Sequence, residues 1–200
     1  METTDARLVH VGSRPFAIFP REAATVTEGP NSYIEEIVTQ ETNGRYGVVE
    51  VNARGILSPQ QTRVLVYRAI GLSEIETGSE MGSATETVKE HTDRLLGKLG
   101  ENDFAGGVSE SFERKILCGV PGLKIPEPLS EKQGQTLQFG ARGLTMYQIG
   151  RRMYIGENTV RTHIRRIYEK LGVYNMAGAV VMGRLYGILP GKSTQKDAAA

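Results

Sequence analysis

The sequence carries one pattern twice, and this repeat restricts the fold more than any other feature. Residues 57–117 align with residues 129–189 at an offset of 72 without a gap. So many identical pairs rarely arise by chance, which indicates an internal duplication. Two copies are too few for a solenoid, so each copy is expected to be a small domain of its own. The identical pairs include Leu57/Leu129, Ser58/Ser130, Gly71/Gly143, Val88/Val160, His91/His163, Leu99/Leu171 and Leu117/Leu189.

Each copy is predicted to fold into four short helices, the middle two joined by a tight turn. In the second copy, Val160, Ile164, Ile167 and Leu171 recur at i, i+4, i+7 and i+11, which places them on one helix face. This spacing fits a helix-turn-helix. The predicted boundaries are a start at Ser130 or Glu131, a C-terminal cap at Gly143, an N-cap at Thr145, a turn over 154–156, a helix end at Gly172 and a last helix over 176–186.

The predicted fold class is therefore mainly α, with two tandem four-helix domains. The stretch CGVPGLKIPEP joins the copies, and its three prolines disfavour helix. The predicted segments are 1–56, unassigned; 57–117, the first domain; 118–128, the linker; 129–189, the second domain; and 190–200, the tail.

Residues 1–56 leave alternatives open. RPFAIF and YGVVEVN alternate enough to form short strands, whereas EGPNSYIEEIVTQ is predicted as a helix capped at Asn31 or Ser32. The segment is thus an α/β unit, a swapped arm, or partly disordered.

The two copies differ in net charge. Residues 129–189 contain nine basic and three acidic side chains, a net charge of +6, within a chain whose net charge is only +1. Residues 57–117 contain seven basic and ten acidic side chains, a net charge of −3. A concentrated basic segment is typical of nucleic-acid binding, although a solvated face with no partner remains the alternative.

Composition excludes several classes. Cys118 is the single cysteine, so no internal disulfide scaffold exists. The N-terminus lacks the layout of a signal peptide, and no apolar run approaches the roughly 20 residues of a membrane-spanning helix. These features predict a soluble cytoplasmic protein with no membrane partner.

The segment ENTVRTHIRRIYEKLGV, from Glu157 to Val173, together with the rest of 129–189, resembles the LuxR/NarL-type DNA-binding domain of bacterial transcription regulators. The first copy resembles the same family more faintly and has lost both apolar core and positive surface. The departures are Tyr154 for a turn glycine, Gly156 and Ala84 for a serine-type N-cap, and, in the first copy, Thr77 and Thr92 at the inward positions of Ile149 and Ile164.

The outward face of the helix from Glu157 suits the major groove of DNA. Residues 158, 161, 162, 165 and 166 point away from its apolar side, and they supply long donors, small groups and cations. The resemblance implies that Arg161, Thr162 and Arg165 face bases. It also implies that Asn158, Thr159 and Arg166 lean toward the sugar-phosphate backbone. Thr145 is expected to bind a phosphate at the start of the preceding helix.

The equivalent face of the first copy carries carboxylates. A carboxylate near phosphate meets repulsion, so this copy is predicted to make protein contacts and not to read DNA. The linker reaches about 36 Å at most, close to one helical turn of DNA. Because only one copy per chain is predicted to read DNA, binding to two half-sites requires two chains. The expected assembly is a homodimer joined mainly through residues 1–128. The residues of this face are Glu86, Lys89, Glu90, Asp93 and Arg94.

Other functions are less well supported. His91 and His163 lack a second metal ligand at i+4, so no metal or cofactor is expected. No nucleophile–base arrangement indicates an enzyme. Two rival hypotheses remain: an interaction protein that pairs with another transcription regulator without binding operators, and a module like region four of sigma factors.

Overall fold

The computed structural model describes residues 7–11, 14–21, 34–40, 46–53, 55–119 and 127–189. These residues contain four strands, then four helices, a fifth strand and four more helices. The strands are β1 (Arg7–Val11), β2 (Arg14–Arg21), β3 (Ile34–Gln40), β4 (Tyr46–Asn52) and β5 (Leu117–Gly119). The helices are α1 (Pro59–Ala69), α2 (Glu74–Met81), α3 (Thr85–Leu99), α4 (Phe104–Glu113), α5 (Glu131–Gly140), α6 (Met146–Met153), α7 (Glu157–Leu171) and α8 (Met176–Leu185).

The five strands form one antiparallel sheet in the order β1-β2-β3-β4-β5. The helix predicted around IEEIVTQ is wrong, because residues 34–40 form β3 between β2 and β4. Its isoleucine, valine and threonine residues favour strands, and pairing on both sides satisfies its backbone groups. Asn31 and Ser32, the predicted helix caps, lie outside the described residues.

The last strand of the sheet comes from beyond the first four helices. In β5, Cys118 pairs with Glu50 of β4, and the amide of Asn52 donates to the carbonyl of Ile116 at 2.7 Å. The predicted linker 118–128 therefore begins inside a strand, and its residues 120–126 lie outside the described residues. Helices α1–α4 are thus inserted between two neighbouring strands.

Helix bounds recur at the offset of 72 residues in the pairs α2/α6, α3/α7 and α4/α8, while α1 and α5 share their start and differ by one residue at their end. The local devices recur with them. Ser58 and Ser130 form the same capping box at the first helix of each unit. We call α1–α4 the first helical unit and α5–α8 the second helical unit.

A lysine of the third helix closes each unit in the same way. Lys98 Nζ donates to the carbonyl of Ile56 at 3.0 Å, and Lys170 Nζ donates to the carbonyl of Pro128 at 2.9 Å. Ile56 and Pro128 are again 72 residues apart. Both bonds fix the chain segment that enters the first helix of the unit against the third helix.

Most predicted boundaries of the second helical unit agree with the structure. Thr145 is the N-cap of α6, and Gly172 is the left-handed C-cap of α7. The C-terminal cap predicted at Gly143 is wrong, because α5 ends at Gly140 with Ala141 as its cap. Gly143 follows with φ of 72°, where the left-handed backbone favours glycine.

One hydrophobic core joins the two units. It contains Val66 and Leu95 from the first unit together with Ile167 and Val180 from the second. A smaller cluster of Ile149, Met153 and Val160 lies under the turn between α6 and α7. The two units therefore pack against each other directly.

Candidate nucleic-acid interface

Helices α6 and α7 form a tight helix-turn-helix. Tyr154 ends α6 in the left-handed conformation, and Gly156 is the N-cap of α7. The turn approaches α6 so closely that a Cβ on Gly150 would lie 2.7 Å from the carbonyl oxygen of Ile155. Buried Ile149 and Val160 fix the angle between the helices from below.

The predicted DNA-facing residues of α7 share the solvent side of the helix. Asn158, Thr159, Arg161, Arg165 and Arg166 are exposed, and Thr162 is half-buried. Val160 and Ile167 are fully buried on the opposite side. The structure therefore places these predicted site residues together on one outward face, which we call the α7 face.

Two residues of the α7 face have local partners. The Thr162 hydroxyl donates to the carbonyl of Asn158, one turn earlier, at 3.0 Å. Arg165 lies 3.7 Å from Glu169 one turn later, with both side chains well exposed. An exposed pair at this distance contributes at most about 1 kcal/mol, so the guanidinium can exchange it for a stronger acceptor.

Thr145 has a structural role at the start of α6. Its hydroxyl accepts from the amide of Gln148 at 3.3 Å, and the Gln148 side chain accepts from the Thr145 amide at 2.9 Å. This capping box fixes the helix start, and the Thr145 hydroxyl hydrogen can still be donated outward.

Sequence reasoning missed a second basic and aromatic surface. Arg151 and Arg152 are exposed at the end of α6, beside exposed Tyr147 and Tyr154. An open groove of about 610 Å³ lies between this helix end and the first turn of α7, lined by Tyr147, Arg151 and Tyr154 among others. The signal was the Arg-Arg pair before the turn, which extends the positive surface beyond α7.

The equivalent surface of α3 has different electrostatics. Glu86, Lys89, Glu90 and Asp93 are exposed on it. Arg94, the counterpart of Arg166, forms an ion pair of 2.6 Å with Glu90 one turn earlier. Its charge is therefore compensated within the helix.

Two ring side chains of α7 lie on or near its packed side. Burial raises the pKa of the Tyr168 phenol to about 12, so the ring stays neutral over the physiological range. The buried Nδ1 of His163 has no hydrogen-bond partner among the described side chains and backbone. Within the described ranges, no cluster of His, Cys, Asp and Glu is suited to hold a metal ion.

Comparison with known proteins finds a family match for the second helical unit. Residues 127–183 match the family described as "Bacterial regulatory proteins, luxR family". This range contains α5, α6, α7 and most of α8. Residues 127–183 thus form a LuxR-family helix-turn-helix domain.

Several curated proteins are similar over more than half of this chain. The probable transcriptional regulatory protein SgaR of Hyphomicrobium methylovorum is 41% identical over 123 residues, which cover 61% of this chain and 57% of SgaR. The probable transcriptional regulatory protein NarL of Mycobacterium tuberculosis is 27% identical over 126 residues, or 62% of this chain and 56% of NarL. The regulator MalT of Vibrio campbellii is 25% identical over 55% of this chain and 12% of its own length. The chain spans only part of each of these relatives.

Among solved structures, the response regulator ChrA of a heme-sensing two-component system is 20% identical, with a TM-score of 0.31 over 67% of this chain and 74% of ChrA. None of the helices in the described ranges is long and apolar enough to cross a membrane. The printed names of the matched curated proteins are those of transcription regulators.

Proposed function

We propose that this chain is a sequence-specific transcription regulator that binds double-stranded DNA by inserting α7 into the major groove. The observation that carries the proposal is the α7 face, where exposed arginines stand on the second helix of a helix-turn-helix within a LuxR-family match. Long guanidinium side chains suit guanine edges, and the Thr162 methyl suits a thymine methyl. Such a protein acts in the cytoplasm, at the nucleoid.

The individual roles on the α7 face are those that the family resemblance implies. Arg161 and Arg165 are one turn apart and point toward base edges, with Thr162 between them. The remaining contacts are to the sugar-phosphate backbone, which positions the domain without reading sequence. Asn158, Thr159, Arg166 and the hydroxyl of Thr145 supply those contacts.

The two helical units are proposed to be tandem LuxR-type domains, the first degenerate. We assign 57–117 to the first domain, 118–128 to the linker, 129–189 to the DNA-binding domain and 190–200 to the tail. The shared helix bounds and capping boxes support the duplication. The first domain then serves mainly protein contacts.

Charge explains why the roles differ. At the positions of Thr162 and Arg165, α3 carries Glu90 and Asp93. These carboxylates would face phosphates and would release no counterions on binding. The Glu90–Arg94 pair also reduces the attraction of α3 for DNA.

A second candidate function is an interaction protein that pairs with a related transcription regulator and leaves operators unbound. The acidic face of α3 favours it, because exposed carboxylates are better suited to a protein surface than to DNA. The homodimer predicted from the sequence, joined through residues 1–128, stays a prediction. The matched names favour the first candidate.

The experiment is a titration of the full chain against its selected operator and a random duplex at fixed salt. We expect Arg161→Ala and Arg165→Ala each to weaken specific binding by about 1–3 kcal/mol, the usual contribution of a good base contact. Binding to the random duplex should change much less.

Lys89→Ala is the matched control, because Lys89 is the counterpart of Arg161 on α3. It should leave the operator affinity unchanged, and circular dichroism checks the folding of all three variants. Operator selection that enriches no sequence with the parent chain would favour the interaction protein instead.

A further inference from the structure

Equivalent residues of the two helical units face each other where α4 and α8 meet. A cavity of about 240 Å³ at their N-terminal ends is lined by Asp103, Phe104 and Ala105 and by Asn175, Met176 and Ala177. These are the same three positions of each unit, 72 residues apart. Near the C-terminal ends, the Arg184 guanidinium lies 5.6 Å from the ring of its counterpart Phe112. Helices α4 and α8 therefore run side by side in the same direction.

The contacts around this pair are reciprocal. Asn175 Nδ2 donates to the carbonyl of Gly71 at 3.0 Å. In the related position, Gly143 lies so close to Asp103 that an added Cβ would collide with the carboxylate. Asp103 and Asn175 are counterparts, as are Gly71 and Gly143. A contact of i with j and of j with i is the signature of a two-fold interface between identical subunits, found here within one chain.

The contact between α4 and α8, which we call the junction, also includes a polar pair that breaks the symmetry. Arg184 forms an ion pair of 2.5 Å with Glu113, and the two side chains are only 12% and 15% exposed. Val181 and Leu185 are buried on the same helix. The side of α8 that faces α4 is therefore covered, and no second chain can pack there without displacing the first unit.

We propose that the first helical unit takes the place of a second subunit, so that one chain presents α3 and α7 in two-fold-related positions but reads DNA with α7 alone. Each chain then occupies one half-site, whatever other surfaces join chains together. This inference rests on the proposed function. It adds that α3 occupies the position that the DNA-reading helix of a second subunit would occupy. Only the side chains of α3 prevent it from reading DNA.

The test transfers the outward residues of α7 to α3 in the full chain. The substitutions are Glu86→Asn, Lys89→Arg, Glu90→Thr and Asp93→Arg, since Thr87 and Arg94 already match Thr159 and Arg166. All four positions are exposed, so the fold should tolerate them. The probe is a set of duplexes with the selected half-site alone or as inverted pairs at varied spacing. Half-sites protected per bound chain are counted by footprinting and by the mass of the complex.

We expect this count to rise from one in the parent to two in the transferred variant, at a spacing near one helical turn. Affinity for the paired duplex should rise by tenfold or more over the single half-site, because the second contact is intramolecular. The control carries alanine at the same four positions and should keep a count of one. A transferred variant that folds and still protects one half-site per chain overturns the inference, whereas a parent chain that selects no DNA overturns the proposed function.

A second measurement needs no DNA. Glu113→Arg places two cations at the junction and should release the first unit from α8. The exposed side of α8 then pairs with another chain, and sedimentation should show a larger species than the parent. The double variant Glu113→Arg/Arg184→Glu restores opposite charges and should return to the mass of the parent. If Glu113→Arg keeps that mass while folded, or if the double variant does not recover it, the junction does not take the place of a subunit contact.

Discussion

Helices α3 and α7 have the same length, the same kind of cap at each end and opposite chemistry outside. Each spans 15 residues, begins without a side-chain cap and ends at a left-handed glycine. Their buried residues coincide at Val88 and Val160 and at Leu99 and Leu171. The inner face therefore maintains the helix and its packing, while the outer face carries different side chains on the same helix geometry. Similarity of fold between the two helical units consequently says little about whether both read DNA.

The comparison extends to two buried positions on the inner faces of α2 and α3. Thr77 and Thr92 of the first unit take the places of Ile149 and Ile164, and both threonines are buried. The Thr92 hydroxyl donates to the carbonyl of Val88 at 2.8 Å and accepts from Arg68 at 3.2 Å. The Thr77 hydroxyl has no partner among the described residues. One replacement has thus acquired hydrogen bonds and the other has not.

The largest expected effect should be the same in both units. Gly78→Ala and Gly150→Ala should each destabilise the chain by about 1–3 kcal/mol, as for other overpacked sites. The added Cβ would lie 2.8 Å from the carbonyl oxygen of Ser83 in one unit and 2.7 Å from that of Ile155 in the other. Urea unfolding measures the loss. A tolerated alanine at one site only would show that the two turns are not equivalent.

The next effect should differ in sign between two threonines. Thr92→Val should destabilise the chain by about 1 kcal/mol, because the hydroxyl bonds are lost and Arg68 loses an acceptor. Thr77→Val should stabilise it by about 1 kcal/mol, because a buried hydroxyl without a partner is replaced by a methyl of the same size. Thermal unfolding of the two single variants is the measurement. Equal shifts would contradict the hydrogen-bond explanation.

The smallest effect concerns the turn itself. Tyr154 has φ of 56°, and its side chain is 95% exposed, whereas glycine occupies the same position at Gly82. Tyr154→Gly should stabilise the chain by about 0.5–1 kcal/mol, since the left-handed cost exceeds the extra entropy of glycine. Gly82→Ala is the control in the opposite direction. It should destabilise the chain by about 1 kcal/mol, because alanine would have to adopt the unfavourable left-handed conformation. A loss of stability in Tyr154→Gly would mean that the exposed ring makes a contact worth more than the strain.

Sequence periodicity predicted the helical units well for a physical reason. The helices have apolar stripes, and several begin at a recognisable cap, as at Ser130 and Thr145; both signals are local. The outward direction of the predicted DNA-facing residues follows from the same stripe. Their contacts with DNA stay predictions.

The failures lie where tertiary context decides. IEEIVTQ has glutamates that are compatible with a helix, but pairing with β2 and β4 makes it a strand. The end of α5 at Gly140 and not at Gly143 depends on how the loop meets α6. The reciprocal junction of α4 with α8 could not be predicted, because a repeat in sequence does not state how its copies pack.

The insertion of α1–α4 between β4 and β5 has a consequence for the order of folding. Val51 pairs with Leu117, so the last ladder of the sheet joins residues separated by an entire helical unit. Closing such a loop is entropically expensive unless the intervening chain is already compact. Helices with local contacts form quickly, whereas non-local pairing is slow. We therefore expect β5 to join late, after the first helical unit has brought its two ends together, so that completion of the sheet reports that this unit is folded.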